Sequence, residues 1–367
     1  MEPSTYVQRI ALNYRQNMVP FPEGLDIASE HLAGCPADRL HGGLLSLHRW
    51  MAAVYCVAAH SPESLGLPRH PDVLPRSGSR YGASAQAFGA IPALVFALGL
   101  YGLPVEREGR VWLRVDQDSW AAYCRQAKIK KAQAMLAGLG KHGLEAMPDS
   151  EPGPELQVRF PNAPDIVFAL PAFVKACGAF TKNVSQPPLE FCRADMRVMR
   201  PARGRKRSLP VTVADALRPL DQEQASILVE LDRLVESLGF RAEYKCSGLN
   251  RGEWRGSYRS SKLGRTLFGF VVEEGQLTGR IMIGETSRVL PYLEQCPAPL
   301  RQAFYAAHTC QACGNCKVGP VHVPLDGESR RLCNYALFTV PDIRQESAAG
   351  MRILLEAQAG ILQETLT

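Results

Sequence analysis

Four cysteines near the C-terminus constrain this chain more than any other feature. Cys310, Cys313 and Cys316 recur at two-residue intervals in His308-Thr-Cys-Gln-Ala-Cys-Gly-Asn-Cys-Lys317, and Cys333 returns after a loop. Three thiols at that spacing with a fourth within reach form the ligand set of a tetrathiolate metal site. The stretch from Lys317 to Leu332 is poor in large apolar side chains, so a metal clip would supply cohesion that a small core cannot. Zn2+ suits these ligands as a closed tetrahedron. Evenly spaced cysteines with a remote fourth also suit the corners of a [4Fe-4S] cluster. No proline directly follows the cysteines as in ferredoxin runs, and no motif for an electron partner accompanies them. Zinc is therefore the preferred ion and iron–sulfur the alternative. His308, His322 and Cys296 are reserve ligands.

The remaining cysteines are scattered, and the total of eleven is odd, which excludes a simple all-paired disulfide framework. Met1 to Asn13 lacks the basic start and apolar core of a secretory signal. Free thiols beside a metal cluster predict a reducing, cytoplasmic location. The stretch from Gly82 to Val105 carries no charge and is long enough to span a bilayer. Its glycines, Ser84, Gln86, Pro92 and Pro104 predict instead a buried helix over about Pro92–Leu100 and no membrane contact.

A length of 367 residues with 46% hydrophobic and 21% charged side chains fits a soluble protein of two domains. The predicted class is α+β. Residues 1–192 form a mainly helical N-terminal domain with a short β ribbon, 193–212 a basic linker, and 213–367 the second domain. That second domain carries a four-stranded antiparallel meander, packed helices and the four-cysteine metal loop. The meander is read at Phe240–Cys246, Glu253–Ser260, Leu267–Glu273 and Leu277–Gly284, after a helix capped by Asp221. A closing helix runs from Ile343 to Leu366.

In the first domain, His41 and His48 share a helical face with Cys56, but no carboxylate accompanies them. Core or surface histidines are the simpler reading. Strands are expected at Val105–Val115, Leu156–Phe160 and Asp165–Leu170, with helices through Trp120 and through Ile129–Leu139 between them. Helix, helix and ribbon over 105–180 is the order of a winged-helix module, with Lys128, Lys130 and Lys131 as a positive edge. The plainer alternative, an ordinary α+β arrangement with solvated lysines, is preferred.

Three features bear on nucleic acid. Between Arg193 and Ser208, seven cationic side chains face Asp195 alone, an excess equal to the whole formal net charge of +6. Of these, Arg197, Arg200, Arg203, Arg205, Lys206 and Arg207 are candidate phosphate contacts; a solvated connector is the more ordinary role. Lys130 and Lys131 form a second basic group. The third is the strand Glu253-Trp-Arg-Gly-Ser-Tyr-Arg259, where Trp254 and Tyr258 share one face and Arg255 and Arg259 the other. It reads either as a stacking platform for single strands or as a sheet with aromatics in the core and arginines in water. The second is preferred.

The sequence has no dinucleotide fingerprint, P-loop, nucleophile elbow or zincin motif. This favours a binding protein over an enzyme. The hypotheses are a zinc-stabilised protein contacting nucleic acid, an iron–sulfur redox protein, or a scaffold holding a protein partner.

The C-terminal part resembles uncharacterised bacterial proteins in which a helix and small sheet precede C-x-x-C-G-x-C, then Gly-Pro, then Gly before a final cysteine. Here these are Cys310, Cys313, Gly314, Cys316, Gly319-Pro320, Gly327 and Cys333. Similarity through Phe191-Cys-Arg-Ala-Asp-Met-Arg197 extends it toward the N-terminus. The resemblance implies a metal-binding module and nothing on mechanism, since no activity is assigned to that family.

Overall fold

The computed structural model describes residues 5–67, 79–107, 109–148, 155–178, 186–201, 211–250, 252–307, 309–310, 319–325 and 328–364. The chain is α+β and divides into two compact units, Met1–Pro210 and Val211–Thr367.

In the first unit the helices are α1 (Tyr6–Gln16), α2 (Ser29–Leu32), α3 (Ala37–His60) and α4 (Ser79–Tyr101). The strands β1 (Gly102–Arg107) and β2 (Arg110–Asp116) come next, then α5 (Gln117–Gln126) and α6 (Ala132–Gly140). After these follow β3 (Glu145–Pro148), β4 (Glu155–Arg159), α7 (Ile166–Gly178) and α8 (Leu189–Cys192). Asp116 caps α5 as its sequence suggests, accepting the Ser119 N–H at 2.7 Å. Helices α1, α3, α4 and α7 pack together. Between them Tyr14, Tyr55 and Phe88 form one aromatic group, and Phe96, Phe173 and Phe191 another.

Helix α4 begins well before Pro92, so that proline lies inside the helix rather than at its first turn. Its stretch Ser84–Tyr101 is long and apolar enough to cross a membrane, yet 67% of it is buried inside the unit, so protein covers most of its apolar surface. The expected strand at Asp165–Leu170 is helical. Eight side chains of α7 are buried, Leu170 and Phe173 completely, and burial on several sides overrides the β preference of Ile, Val and Phe. The ribbon is therefore β3 with β4, in a four-stranded sheet ordered β1-β2-β4-β3.

The second unit contains α9 (Val213–Leu217), α10 (Gln222–Ser237), β5 (Arg241–Gly248), β6 (Glu253–Ser260), β7 (Arg265–Glu273) and β8 (Gln276–Gly284). Then come α11 (Thr286–Leu293), α12 (Ala298–Ala307), β9 (Val321–Leu325), β10 (Glu328–Leu332), β11 (Tyr335–Val340) and α13 (Gln345–Glu364). The expected meander is β5 to β8, but the sheet has five strands, ordered β11-β8-β7-β6-β5. Strand β11 arrives from the cysteine region and adds itself to β8. The separate hairpin β9–β10 lies just before Cys333.

Helices α10, α12 and α13 lie on one face of this sheet. Asp232 of α10 accepts hydrogen bonds from Tyr244 at 2.5 Å and Tyr258 at 2.6 Å. Phe304 of α12 meets Phe338. A Cβ on Gly279 would meet Met351 of α13 at 2.5 Å. Phe338, Ile281, Phe268 and Tyr258 are successive cross-strand partners, so these contacts belong to one side.

Helices α3 and α7 approach closely at Gly43, where a Cβ would come 2.4 Å from the Asp165 carbonyl oxygen, whereas Gly42 faces open space. We expect Gly43→Ala to lower stability by about 1–3 kcal/mol through overpacking. Gly42→Ala should raise it by up to about 1 kcal/mol through helix propensity. Urea unfolding of both variants checks this.

Candidate nucleic-acid interface and metal loop

Cross-strand register defines what the uncovered face of the five-stranded sheet presents. One row runs Thr339, Arg280, Gly269, Ser257, Glu243, and the next runs Thr278, Val271, Arg255, Lys245. Leu337 pairs with Met282 beside the first row, and both are more than 40% exposed. Because Gly269 carries no side chain, a trough of about 310 Å3 crosses the face, lined among others by Arg255, Ser257, Arg280, Met282 and Leu337.

The charges on this face are unevenly paired. Lys245 pairs with Glu243 at 2.8 Å, and Arg255 with Glu253 at 2.5 Å. Arg241, Arg259 and Arg280 have no carboxylate partner among the described residues. The Arg280 Nε–H is buried and lacks an acceptor. Arg241 and Arg259, both exposed, sit directly opposite each other in the β5–β6 ladder. Like charges at opposed positions are destabilising, and an anion laid across them would relieve that repulsion.

Trp254 and Tyr258 are not part of this surface. They are 1% and 0% exposed and belong to the helix-covered face, so the stacking platform they suggested does not form. Period-two alternation sends Arg255 and Arg259 to the opposite, wet face. The arginines of that strand remain candidate contacts and its aromatics do not.

The basic segment divides as well. Arg193 is 3% exposed and its Nε donates to the Asn17 carbonyl at 3.2 Å. Arg197 pairs with buried Asp195 at 2.6 Å. Residues through Arg200 thus belong to the packed first unit rather than to a solvated connector. Arg200 is exposed, while Arg203, Arg205, Lys206 and Arg207 lie outside the described residues.

In the first unit, β2, α5, α6, β3 and β4, with sheet order β2-β4-β3, follow the strand and helix order of a winged-helix module. Lys128, Lys130 and Lys131 are exposed at the turn between α5 and α6, two of them in left-handed backbone at φ 56° and 60°. The 3-10 turn Pro62–Leu65 packs on α6. A Cβ on Gly138 would come 2.8 Å from the Leu65 Cα. That contact lies on the buried side of α6, while Gln133, Ala134 and Ala137 stay exposed.

In the metal loop, Thr309 bridges antiparallel to Leu332, and the Cys310 N–H donates to the Arg331 carbonyl at 2.8 Å. Cys310 therefore lies beside the strand that leads to Cys333. The Cys333–Asn334 segment is fixed by fully buried Thr286, whose Oγ1 donates to the Cys333 carbonyl at 2.8 Å and whose N–H donates to Asn334 Oδ1 at 2.9 Å. The Cys333 thiol donates to the Tyr335 carbonyl at 2.8 Å, a proton it would lose on binding a metal. Cys313, Cys316 and His308 lie outside the described residues. Among the described residues no three His, Cys, Asp or Glu side chains converge as a metal site. Of the four expected ligands, Cys310 and Cys333 are thus placed on adjoining backbone segments, and that of Cys333 is held by Thr286.

The reserve ligands have other roles. The Cys296 thiol faces the Tyr292 and Gly350 carbonyls, and burial pushes its pKa up. The His322 ring approaches Ser329 Oγ at 3.4 Å. His48 Nε2 lies 2.7 Å from the Val19 carbonyl, and His41 packs edge-on against Phe21. The simpler reading of those two histidines stands. No family model, curated protein or solved structure matches this chain.

The opposed arginines yield a test of the charge argument. Arg241→Gln should raise stability by about 0.2–1 kcal/mol at low ionic strength. The gain should fade in high salt, where exposed charges are screened, as read from denaturation midpoints at two salt concentrations.

Proposed function

We propose that this chain is a metal-clipped, cytoplasmic binding protein, not an enzyme, and that a single nucleic-acid strand lies across the open face of its five-stranded sheet. The observation that carries this reading is the set of arginines without carboxylate partners on that face, Arg241, Arg259 and Arg280, with Arg280 lining a trough floored by Gly269. Flexible guanidiniums on a wet sheet match phosphates spaced along a strand, and Leu337 and Met282 give bases an apolar surface. Lys128, Lys130, Lys131 and Arg200 are secondary phosphate contacts on the first unit. The basic segment Arg203, Arg205, Lys206 and Arg207 adds to the same attraction.

The affinity should be electrostatic and therefore steep in salt. For a fluorescent single-stranded oligonucleotide, the slope of log K against log salt should be about −0.7 per phosphate engaged. We expect Arg259→Ala with Arg280→Ala to reduce that slope by about 1.4 and to weaken binding uniformly across sequences. No binding at low salt, or an unchanged slope in the double variant, contradicts the reading.

Zn2+ is the proposed metal, held by Cys310, Cys313, Cys316 and Cys333, with the β9–β10 hairpin and the start of β11 as the parts it steadies. Protein purified without oxygen should carry one zinc per chain and no visible absorption. Cys310→Ser or Cys333→Ser should lose the metal, and Cys296→Ser should keep it. Iron with sulfide and a brown colour would replace zinc by a [4Fe-4S] cluster and turn the reading toward redox chemistry.

A further inference from the structure

A second cavity, of about 510 Å3, lies between the C-terminal half of α13 and the ends of β7 and β8, lined among others by Arg265, Thr266, Met282, Tyr335, Gln358 and Leu362. Gln358 is completely buried. Its Oε1 accepts the Gly284 N–H at 3.1 Å, which fixes the amide so that Nε2 points away from that bond. Nε2 has no acceptor. A buried amide donor left unpaired is costly, and native structures keep few of them without a reason.

The cavity wall next to this donor is aromatic. Tyr335 is 51% exposed and stands opposite Gly284 in the β11–β8 ladder. A Cβ on Gly284 would come 3.2 Å from Tyr335 Cε1 and 3.7 Å from Gln358 Nε2. The missing side chain at 284 therefore keeps the gap between ring and amide clear. Arg265, exposed and without a carboxylate partner among the described residues, lines the same cavity. Thr266 and Met282 line both this cavity and the trough on the open face, so the two adjoin.

We propose that this cavity takes one extruded base of the strand that crosses the sheet, the base stacking on Tyr335, its carbonyl oxygen accepting from Gln358 Nε2, and its phosphate meeting Arg265. The proposal rests on the open sheet as a nucleic-acid surface and adds to it a site of base preference. Since Oε1 is already engaged by the Gly284 N–H, the amide only donates. It favours a base that offers a carbonyl oxygen, such as thymine, over adenine, which has none. Stacking on an aromatic ring with one such hydrogen bond is the usual way proteins read an unpaired base.

The test compares oligo(dT) and oligo(dA) of equal length, titrated by fluorescence anisotropy against the full chain at low salt. The wild type should bind oligo(dT) about tenfold more tightly, the order expected for one well-read base. Tyr335→Ala, a change at a half-exposed position, removes the stacking platform, so it should weaken both oligonucleotides, oligo(dT) more, and narrow the gap between them. Gln358→Glu keeps the acceptor for the Gly284 N–H and removes the donor, so it should also narrow the gap between the two oligonucleotides. Equal affinities in the wild type, or a preference that Tyr335→Ala leaves unchanged, overturn the base pocket while the open-sheet reading stands on its salt slope. Binding of neither oligonucleotide overturns both.

Discussion

Asp232 and the helices behind it decide what the second unit can do. One carboxylate oxygen accepts from Tyr244 and Tyr258 on neighbouring strands, and α10, α12 and α13 all press on that side. The side chains covered there, among them Trp254, Phe268, Phe270 and Ile281, are almost wholly buried, each worth about 1.5–3 kcal/mol of hydrophobic stabilisation. Period-two alternation turns the alternate side chains of the same strands to the other face, where Arg255 and Arg259 are exposed. The arginines are exposed because the aromatics are not. Gly256 serves the same arrangement: a Cβ there would meet the Phe270 ring at 2.1 Å.

The cysteine loop and this surface are connected through one short segment. Cys333 is held by Thr286 at the start of α11, and two residues later the chain enters β11 with Tyr335. A metal that fixes Cys333 would also fix the register in which Tyr335, Leu337 and Thr339 reach the open face. Structural metal binding would then act on function without touching the ligand, by holding the strand that carries the aromatic rim.

Much of the fold could be read from sequence because local chemistry and tertiary packing agree there. The caps Asp116 and Asp221 work as their positions imply. The meander from β5 to β8 follows alternation that burial confirms on Trp254, Gly256 and Tyr258. Where the two disagree, reading fails. Asp165–Leu170 has strand-like residues but sits where α3 and α4 cover it, and becomes helix. Strand β11 was hidden because its partner β8 is some fifty positions earlier, and nothing local announces that pairing. The candidate site was half legible. Arg255 and Arg259 stood out beside the aromatics, but Arg241, Arg280 and Met282 gain meaning only in cross-strand register. The alternation on β5 and β8 was the available signal. Gln358 carries none, since its role depends on Gly284 and Tyr335 reaching it from elsewhere in the chain.

The central claim is that nucleic acid meets the open sheet of the second unit rather than the lysines between α5 and α6 of the first. The most direct measurement is photocrosslinking of the full chain to a single strand containing 4-thiothymidine, followed by mass-spectrometric mapping of the attached peptides. The account predicts adducts on peptides of β5 through β8 and on the one containing Tyr335. Adducts confined to the peptides around Lys128–Lys131, or none above a protein-only control, would contradict it.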